Sequence, residues 1–97
     1  MAADILIVDD DPDIGEVLSL FLRGESFDTR IATTGPEALT VFEGAQAQVD
    51  LMVTDLVMPR LGGRDLARQV ARLEPGLPVL FLSGYTDSAA LHQGGLD

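Results

Sequence analysis

The sequence predicts an α/β domain in which helices cover an open parallel β-sheet. Short apolar runs alternate along the chain with helical patterns, in the order β-α-β-α-β-α-β-α. Two of the runs, Ile5–Val8 and Leu51–Thr54, lack a polar alternation, which is typical of strands buried on both faces of a parallel sheet. Each strand–helix–strand unit is expected to form a right-handed crossover. With 97 residues, the chain has room for one hydrophobic core.

The first strand, β1, is predicted over Asp4–Val8, and a helix, α1, follows it directly. Asp11 has the side chain of an N-cap, Pro12 suits the first helical position, and Gly24 is expected to end the helix. Asp13 complements the positive end of the helix dipole. The apolar spacing predicts that the helix faces the sheet with Ile14, Val17, Leu18 and Phe21.

The second strand and helix are indicated by a change in pattern. Phe27–Ala32 alternates apolar and polar residues, which predicts a more exposed strand, β2, at an edge of the sheet. Thr34–Glu37 matches a capping box and therefore predicts the start of α2, which Gly44 would end. The inward residues of this helix are expected to be Ala38, Leu39 and Phe42.

Two further strands and helices complete the predicted order. The strand β3 is expected over Val49–Thr54 and the strand β4 over Pro78–Leu82, with a helix, α3, between them. A short final helix is predicted over about Thr86–Gln93. The apolar face of α3 carries Leu66, Val70 and Leu73.

Composition excludes several classes of function. Sixteen acidic residues and six basic ones give a formal net charge of −10, which argues against nucleic acid or an anionic membrane as a direct ligand. Metal cations and basic partner surfaces fit this charge better. The sequence has no cysteine, so it can form neither a disulfide nor a thiolate metal site. Its longest apolar stretches fall far short of the roughly 20 residues of a membrane span, and we expect a cytoplasmic domain.

Acidic residues follow two of the buried strands at the points where those strands end. Asp9, Asp10 and Asp11 come directly after β1, and Asp55 comes after the apolar run of β3. Ligands of open α/β sheets bind in the crevice outside the carboxyl ends of the strands. The two groups of aspartates therefore predict a shared site for a cation and a phosphate.

The chemistry of such a site is phosphoryl transfer to a carboxylate. A carboxylate can accept a phosphoryl group when a divalent cation offsets the repulsion between the two. Magnesium prefers oxygen ligands, so Asp10, Asp55 and the backbone carbonyl of Val57 are predicted to bind it. Asp9 would hold a coordinated water or strengthen the local negative field. Ser83, directly after β4, has a hydroxyl that can donate to a phosphoryl oxygen.

Three segments of the chain together resemble a known family. They are Ile5–Pro12 (ILIVDDDP), Asp50–Gly63 (DLMVTDLVMPRLGG) and Val79–Tyr85 (VLFLSGY). In combination they resemble the receiver domain of response regulators from two-component signalling, and the resemblance covers all 97 residues. It implies a flavodoxin-like sheet, with the strands present here in the order 2-1-3-4, and a requirement for Mg²⁺.

The resemblance also implies roles for individual residues. Asp55 corresponds to the phosphorylated aspartate, Asp9 and Asp10 to the acid pair, and Ser83 to the switch hydroxyl. It implies a histidine kinase or another phosphohistidine domain as the phosphoryl donor, and a downstream output domain or protein as the partner. The segment Leu82–Asp87 is similar to receivers of hybrid sensor kinases, but isolated receivers and receivers of DNA-binding regulators are left open.

One departure from the family leaves alternatives open. Receivers have a fifth strand that ends in a lysine near the phosphoryl group, whereas this sequence contains no lysine. We therefore expect residues 1–97 to be a receiver domain that is incomplete at its C-terminus, lacking the fifth strand and helix. One alternative is a pseudo-receiver, an interaction module without phosphotransfer. Another is a magnesium-dependent hydrolase, although Val57 stands two residues beyond Asp55, where a second general acid would be expected.

Overall fold

A four-stranded parallel sheet forms the centre of the computed structural model, which describes residues 2–44 and 48–82. The strands lie in the order β2-β1-β3-β4, which confirms the predicted fold class and places β2 at an edge. Every neighbouring pair is parallel. The strands comprise β1 (Asp4–Val8), β2 (Asp28–Ala32), β3 (Leu51–Asp55) and β4 (Val79–Leu82).

The register of the sheet aligns the carboxyl ends of the strands. Val8, the last residue of β1, lies opposite Ala32 of β2 on one side and Thr54 of β3 on the other. Asp55 lies opposite Leu82, so β3 and β4 also end together. As a result, the residues that leave these strands emerge at one rim of the sheet.

Helices lie on both faces of the sheet. The helix α1 (Pro12–Gly24) packs on β1 and β2, whereas α2 (Gly35–Glu43) and α3 (Gly63–Leu73) pack against each other over the opposite face. None of the helices in the described ranges has the length and apolar character needed to cross a membrane. The larger core lies under α2 and α3 and includes Leu6, Val8, Met52, Leu66 and Val70.

The predicted helix starts are confirmed. The Asp11 side chain accepts a hydrogen bond from the N–H of Asp13 at 3.0 Å, and the Thr34 hydroxyl accepts one from the N–H of Glu37 at 3.1 Å. The Glu37 carboxylate accepts from the N–H of Thr33 at 2.6 Å, one residue before the N-cap. The capping box is therefore reciprocal, but its return bond reaches one residue further than the usual pattern.

The predicted inward face of α1 was wrong at three of its four positions. Leu18 packs against the sheet as expected, but Ile14, Val17 and Phe21 are exposed, the last two at 65% and 66%. The residues that face the sheet follow the helical spacing i, i+3, i+4 and i+7. They are Gly15, Leu18, Ser19 and Leu22.

Close packing against β2 explains the rotation of α1. A Cβ atom added to Gly15 would lie 3.1 Å from the Cγ2 of Ile31, so the helix backbone rests almost directly on that side chain. One turn later, the buried Ser19 hydroxyl forms a hydrogen bond with the Thr29 hydroxyl at 2.6 Å. A glycine and a serine therefore occupy the inner face, and an apolar pattern alone does not reveal them.

A smaller correction concerns α3. Leu66 and Val70 are fully buried, as predicted, but Leu73 is 43% exposed. Leu73 is the last residue of the helix, where the chain turns away toward β4. Its side chain therefore contributes less to the core than the helical spacing suggests.

We predict that the true inner face of α1 can be identified by a pair of neighbouring substitutions. Leu22→Ala should lower the free energy of unfolding by about 2 kcal/mol, because Leu22 packs on the sheet. Phe21→Ala should change it by less than about 0.5 kcal/mol, because that side chain is largely exposed. Urea denaturation of both variants provides the comparison. A larger loss for Phe21→Ala would contradict the helix orientation described above.

Candidate functional site

Three carboxylates meet at the carboxyl rim of the sheet. Asp9 and Asp10 follow β1, and Asp55 is the last residue of β3. One carboxylate oxygen from each of the three lies within 4.8 Å of those from the other two. The residues come together because β1 and β3 are adjacent and in register, so that Val8 lies opposite Thr54.

The three consecutive aspartates have different environments. Asp9 is buried, at 3% exposure, whereas Asp10 and Asp11 are exposed. The carboxylate of Asp11 is engaged as the N-cap of α1. Asp9 and Asp10 therefore face the cluster with Asp55, while Asp11 starts the helix.

Asp9 is held tightly from both its backbone and its side chain. Its N–H donates to the carbonyl of Ala32 at 3.1 Å, and its Oδ1 accepts from the N–H of Asp11 at 2.9 Å. Burial raises the pKa of its carboxyl, and repulsion from Asp55, Asp10 and Asp11 raises it further, against the opposing effect of the Asp11 N–H.

Asp55 is half-buried, and within residues 2–44 and 48–82 its side chain has one weak hydrogen-bond partner. Its Oδ1 faces the N–H of Val57 at 3.4 Å, which is long for a hydrogen bond. Its backbone is held more firmly, because the hydroxyl of the fully buried Thr54 donates to the Asp55 carbonyl at 3.1 Å. The Asp55 carboxylate is therefore carried by a fixed backbone and has oxygens available for other partners.

No basic side chain in residues 2–44 and 48–82 forms an ion pair with these acids. Within those ranges the one ion pair joins Arg68 and Asp65 on the exposed surface of α3. Closely spaced carboxylates without a counter-charge repel each other, and a bound cation would remove that repulsion. The oxygen donors suit a hard divalent cation such as Mg²⁺, so the residues present fit the predicted metal.

Two further residues, Val57 and Ser83, are predicted to contribute to the site. Val57 is exposed and follows Asp55 by two residues, and the role of its carbonyl as a metal ligand stays a prediction. Ser83 and the final helix predicted over Thr86–Gln93 lie outside the described residues. No sequence pattern indicates a role for Thr54, because its hydroxyl contact with the Asp55 carbonyl depends on side-chain orientation.

Comparison with known proteins identifies the family. The sequence profile described as the response regulator receiver domain matches residues 5–95. The chain is 41% identical over 88 residues to the DNA-binding response regulator MtrA of Mycolicibacterium smegmatis, which covers 91% of this chain and 37% of MtrA. It is 34% identical over 97 residues to the transcriptional regulatory protein GlrR of Escherichia coli K12, covering 97% of this chain and 21% of GlrR. The chain belongs to the response regulator receiver domain family.

Solved structures show the same flavodoxin-like architecture. The receiver domain of HemR from Leptospira biflexa, in its non-phosphorylated form, superposes with a TM-score of 0.77 at 32% identity, covering 97% of this chain and 74% of that one. The response regulator TrrA of Thermotoga maritima, in complex with Mg²⁺–BeF, superposes with a TM-score of 0.77 at 30% identity. The match covers 92% of this chain and 76% of that one. The protein is thus a signalling domain of the two-component type, and the curated relatives named above are more than twice its length.

We predict that Asp9→Asn stabilises the metal-free protein at neutral pH. The raised pKa of Asp9 means that its charged form is disfavoured in the folded state. This unfavourable contribution is present in full above the folded-state pKa. It is lost as the pH falls through that value toward the ordinary carboxyl pKa near 4. The asparagine oxygen can still accept from the Asp11 N–H.

Thermal unfolding in EDTA over a series of pH values tests this prediction. The melting temperature of Asp9→Asn should exceed that of the unmodified chain at pH 7, and the difference should shrink as the pH falls. Glu43→Gln, an exposed substitution at the end of α2, controls for the change in net charge. Equal melting temperatures at pH 7, or a difference that grows on acidification, would contradict the prediction.

Proposed function

We propose that this domain accepts a phosphoryl group on Asp55 from the phosphohistidine of a histidine kinase or a related donor domain. The observation that carries the proposal is the meeting of Asp9, Asp10 and Asp55 at the sheet rim, with oxygens within 4.8 Å of one another. Asp55 is favoured as the acceptor because it is half-exposed and weakly bonded. Asp9, in contrast, is buried and already accepts a hydrogen bond from Asp11.

The proposed reaction needs an oriented carboxylate and a path for the phosphoryl group. One oxygen of Asp55 attacks the phosphorus, an acyl phosphate bond forms, and the bond from phosphorus to the donor imidazole nitrogen breaks. The departing electron pair stays on that nitrogen. The fixed backbone of Asp55 holds the attacking oxygen at the rim, where the donor can approach.

We further propose that Mg²⁺ binds to Asp9, Asp10 and Asp55, with the Val57 carbonyl as an additional oxygen ligand. When bound, the cation would offset the negative charges of the carboxylates and the phosphoryl group. Asp10 can reach it from the exposed side, and Asp9 from the buried side. The complex of the related TrrA with Mg²⁺–BeF supports this assignment. The Ser83 hydroxyl is the proposed hydrogen-bond donor to the phosphoryl group.

The output is proposed to lie in another domain or protein. MtrA is named as a DNA-binding response regulator and GlrR as a transcriptional regulatory protein, and both are much longer than this chain. A net charge of −10 opposes direct contact between this segment and nucleic acid or an anionic membrane. Phosphorylation would add charge at one rim and shift the population of loop arrangements that the output partner recognises.

We predict that acetyl phosphate and Mg²⁺ add one phosphoryl group to the protein and that Asp55→Asn abolishes the addition, because asparagine lacks the nucleophilic carboxylate. Intact-mass spectrometry provides the measurement, and lability to hydroxylamine identifies an acyl phosphate. Asp65→Asn, on the exposed face of α3, is the matched control and should still be labelled. Labelling of Asp55→Asn would refute Asp55 as the acceptor, and failure to label the unmodified chain would favour the pseudo-receiver.

We predict that Asp10→Asn raises the Mg²⁺ concentration needed for half-maximal labelling by about tenfold or more, because it removes an anionic ligand. The substitution should not change the labelled residue. Labelling rates are measured across a magnesium titration, with Asp65→Asn as the control. The midpoint reports the affinity for Mg²⁺, and the maximal rate reports the phosphoryl transfer itself. An unchanged midpoint would exclude Asp10 from the metal site.

A further inference from the structure

The first residue of α3 lies directly against the backbone of Asp55. A Cβ atom added to Gly63 would overlap the carbonyl oxygen of Asp55 and would lie 3.1 Å from both its carbonyl carbon and the Cα of Leu56. These neighbours are backbone atoms at the end of a strand, so they cannot rotate away as a side chain could. Only a glycine fits at this position without moving the end of β3.

The Asp55 carbonyl is also held by its other neighbours. The hydroxyl of Thr54, which is fully buried, donates to it at 3.1 Å. The same peptide unit is held through its N–H, because the Leu56 N–H donates to the Leu82 carbonyl at 3.0 Å. In the next peptide unit, the Leu56 carbonyl accepts from the Gly63 N–H at 2.9 Å. The backbone at Asp55 is therefore clamped between β4 and the start of α3.

We infer that Gly63 is a positioning residue for Asp55, because its missing side chain lets α3 begin against the Asp55 carbonyl and so fixes the direction in which the carboxylate points. This inference rests on the proposed function, in which that carboxylate is the phosphoacceptor. If a Cβ atom at position 63 displaced the Asp55 carbonyl, the peptide plane would turn. The directions of the Asp55 side chain and of the Val57 N–H beside it would then change. A displacement of about 1 Å at a reacting group can lower a rate by about 100-fold.

A second close glycine, at the start of α2, shows why Gly63 differs from an ordinary packing position. A Cβ atom added to Gly35, at the start of α2, would lie 2.8 Å from the Cβ and Cδ2 of Leu61. All of these atoms belong to a side chain, so a glycine at position 61 would remove every one of them. No side-chain substitution relieves the overlap at Gly63, because its neighbours belong to the backbone.

The test compares Gly63→Ala with Gly24→Ala, whose added Cβ would have no atom of the described residues within 4 Å. Acetyl phosphate labelling is measured at saturating and at limiting Mg²⁺, and urea denaturation gives the folded fraction. For Gly63→Ala we expect the maximal labelling rate of the folded molecules to fall by about 10- to 100-fold. Gly24→Ala should label at the unmodified rate.

A purely structural role gives a different result. It would lower the urea midpoint of Gly63→Ala while leaving the maximal labelling rate per folded molecule unchanged, and this outcome would overturn the inference. If Gly63→Ala does not fold, Thr54→Ala takes its place, because it removes the hydroxyl that donates to the Asp55 carbonyl without adding an atom beside that carbonyl. An unchanged maximal rate in that variant would also overturn the inference.

If the proposed function itself were wrong, the labelling of the unmodified chain would show it. In that case the unmodified chain would not be labelled, or the phosphoryl group would be found on a residue other than Asp55. Labelling of Asp55 in the unmodified chain, together with an unaffected rate in folded Gly63→Ala, would refute the inference alone.

Discussion

Repulsion among three carboxylates at one rim of the sheet is the constraint on which the rest of the site depends. Adjacent parallel strands hold Asp9, Asp10 and Asp55 within 4.8 Å of one another, and the described part of the chain offers no basic partner for them. The pKa of Asp9 is raised, first by burial and then by repulsion from Asp55, Asp10 and Asp11. The fold therefore tolerates a local destabilisation that a bound cation would relieve.

The surrounding structure keeps this unfavourable cluster in place through backbone contacts. The Asp9 N–H is tied to β2, and the Asp55 carbonyl is held by Thr54 and bordered by Gly63. The Asp11 carboxylate starts α1, so the chain leaves the cluster in a defined direction. These supports are backbone groups and the fully buried Thr54 side chain, so they fix the backbone from which Asp9 and Asp55 project at the ends of β1 and β3.

The helix α1 shows where an apolar pattern fails as a guide. The pattern identified the helix and its ends but selected a face that is largely exposed, because the inner face contains Gly15 and Ser19. These two residues allow close approach to Ile31 and a hydrogen bond to Thr29. Both interactions depend on the distance between helix and sheet, which hydrophobicity does not encode.

The sequence by itself determined the parallel α/β fold, the starts of α1 and α2, and the two strand ends that carry the aspartates. These features depend on local patterns, namely unbroken apolar runs, capping residues and acids at strand ends. Only the tertiary structure decided which aspartate is buried, how α1 is rotated, and that Gly63 borders the Asp55 carbonyl. Burial and close approach arise between segments distant in sequence, so they depend on how the helices settle on the sheet rather than on any local pattern.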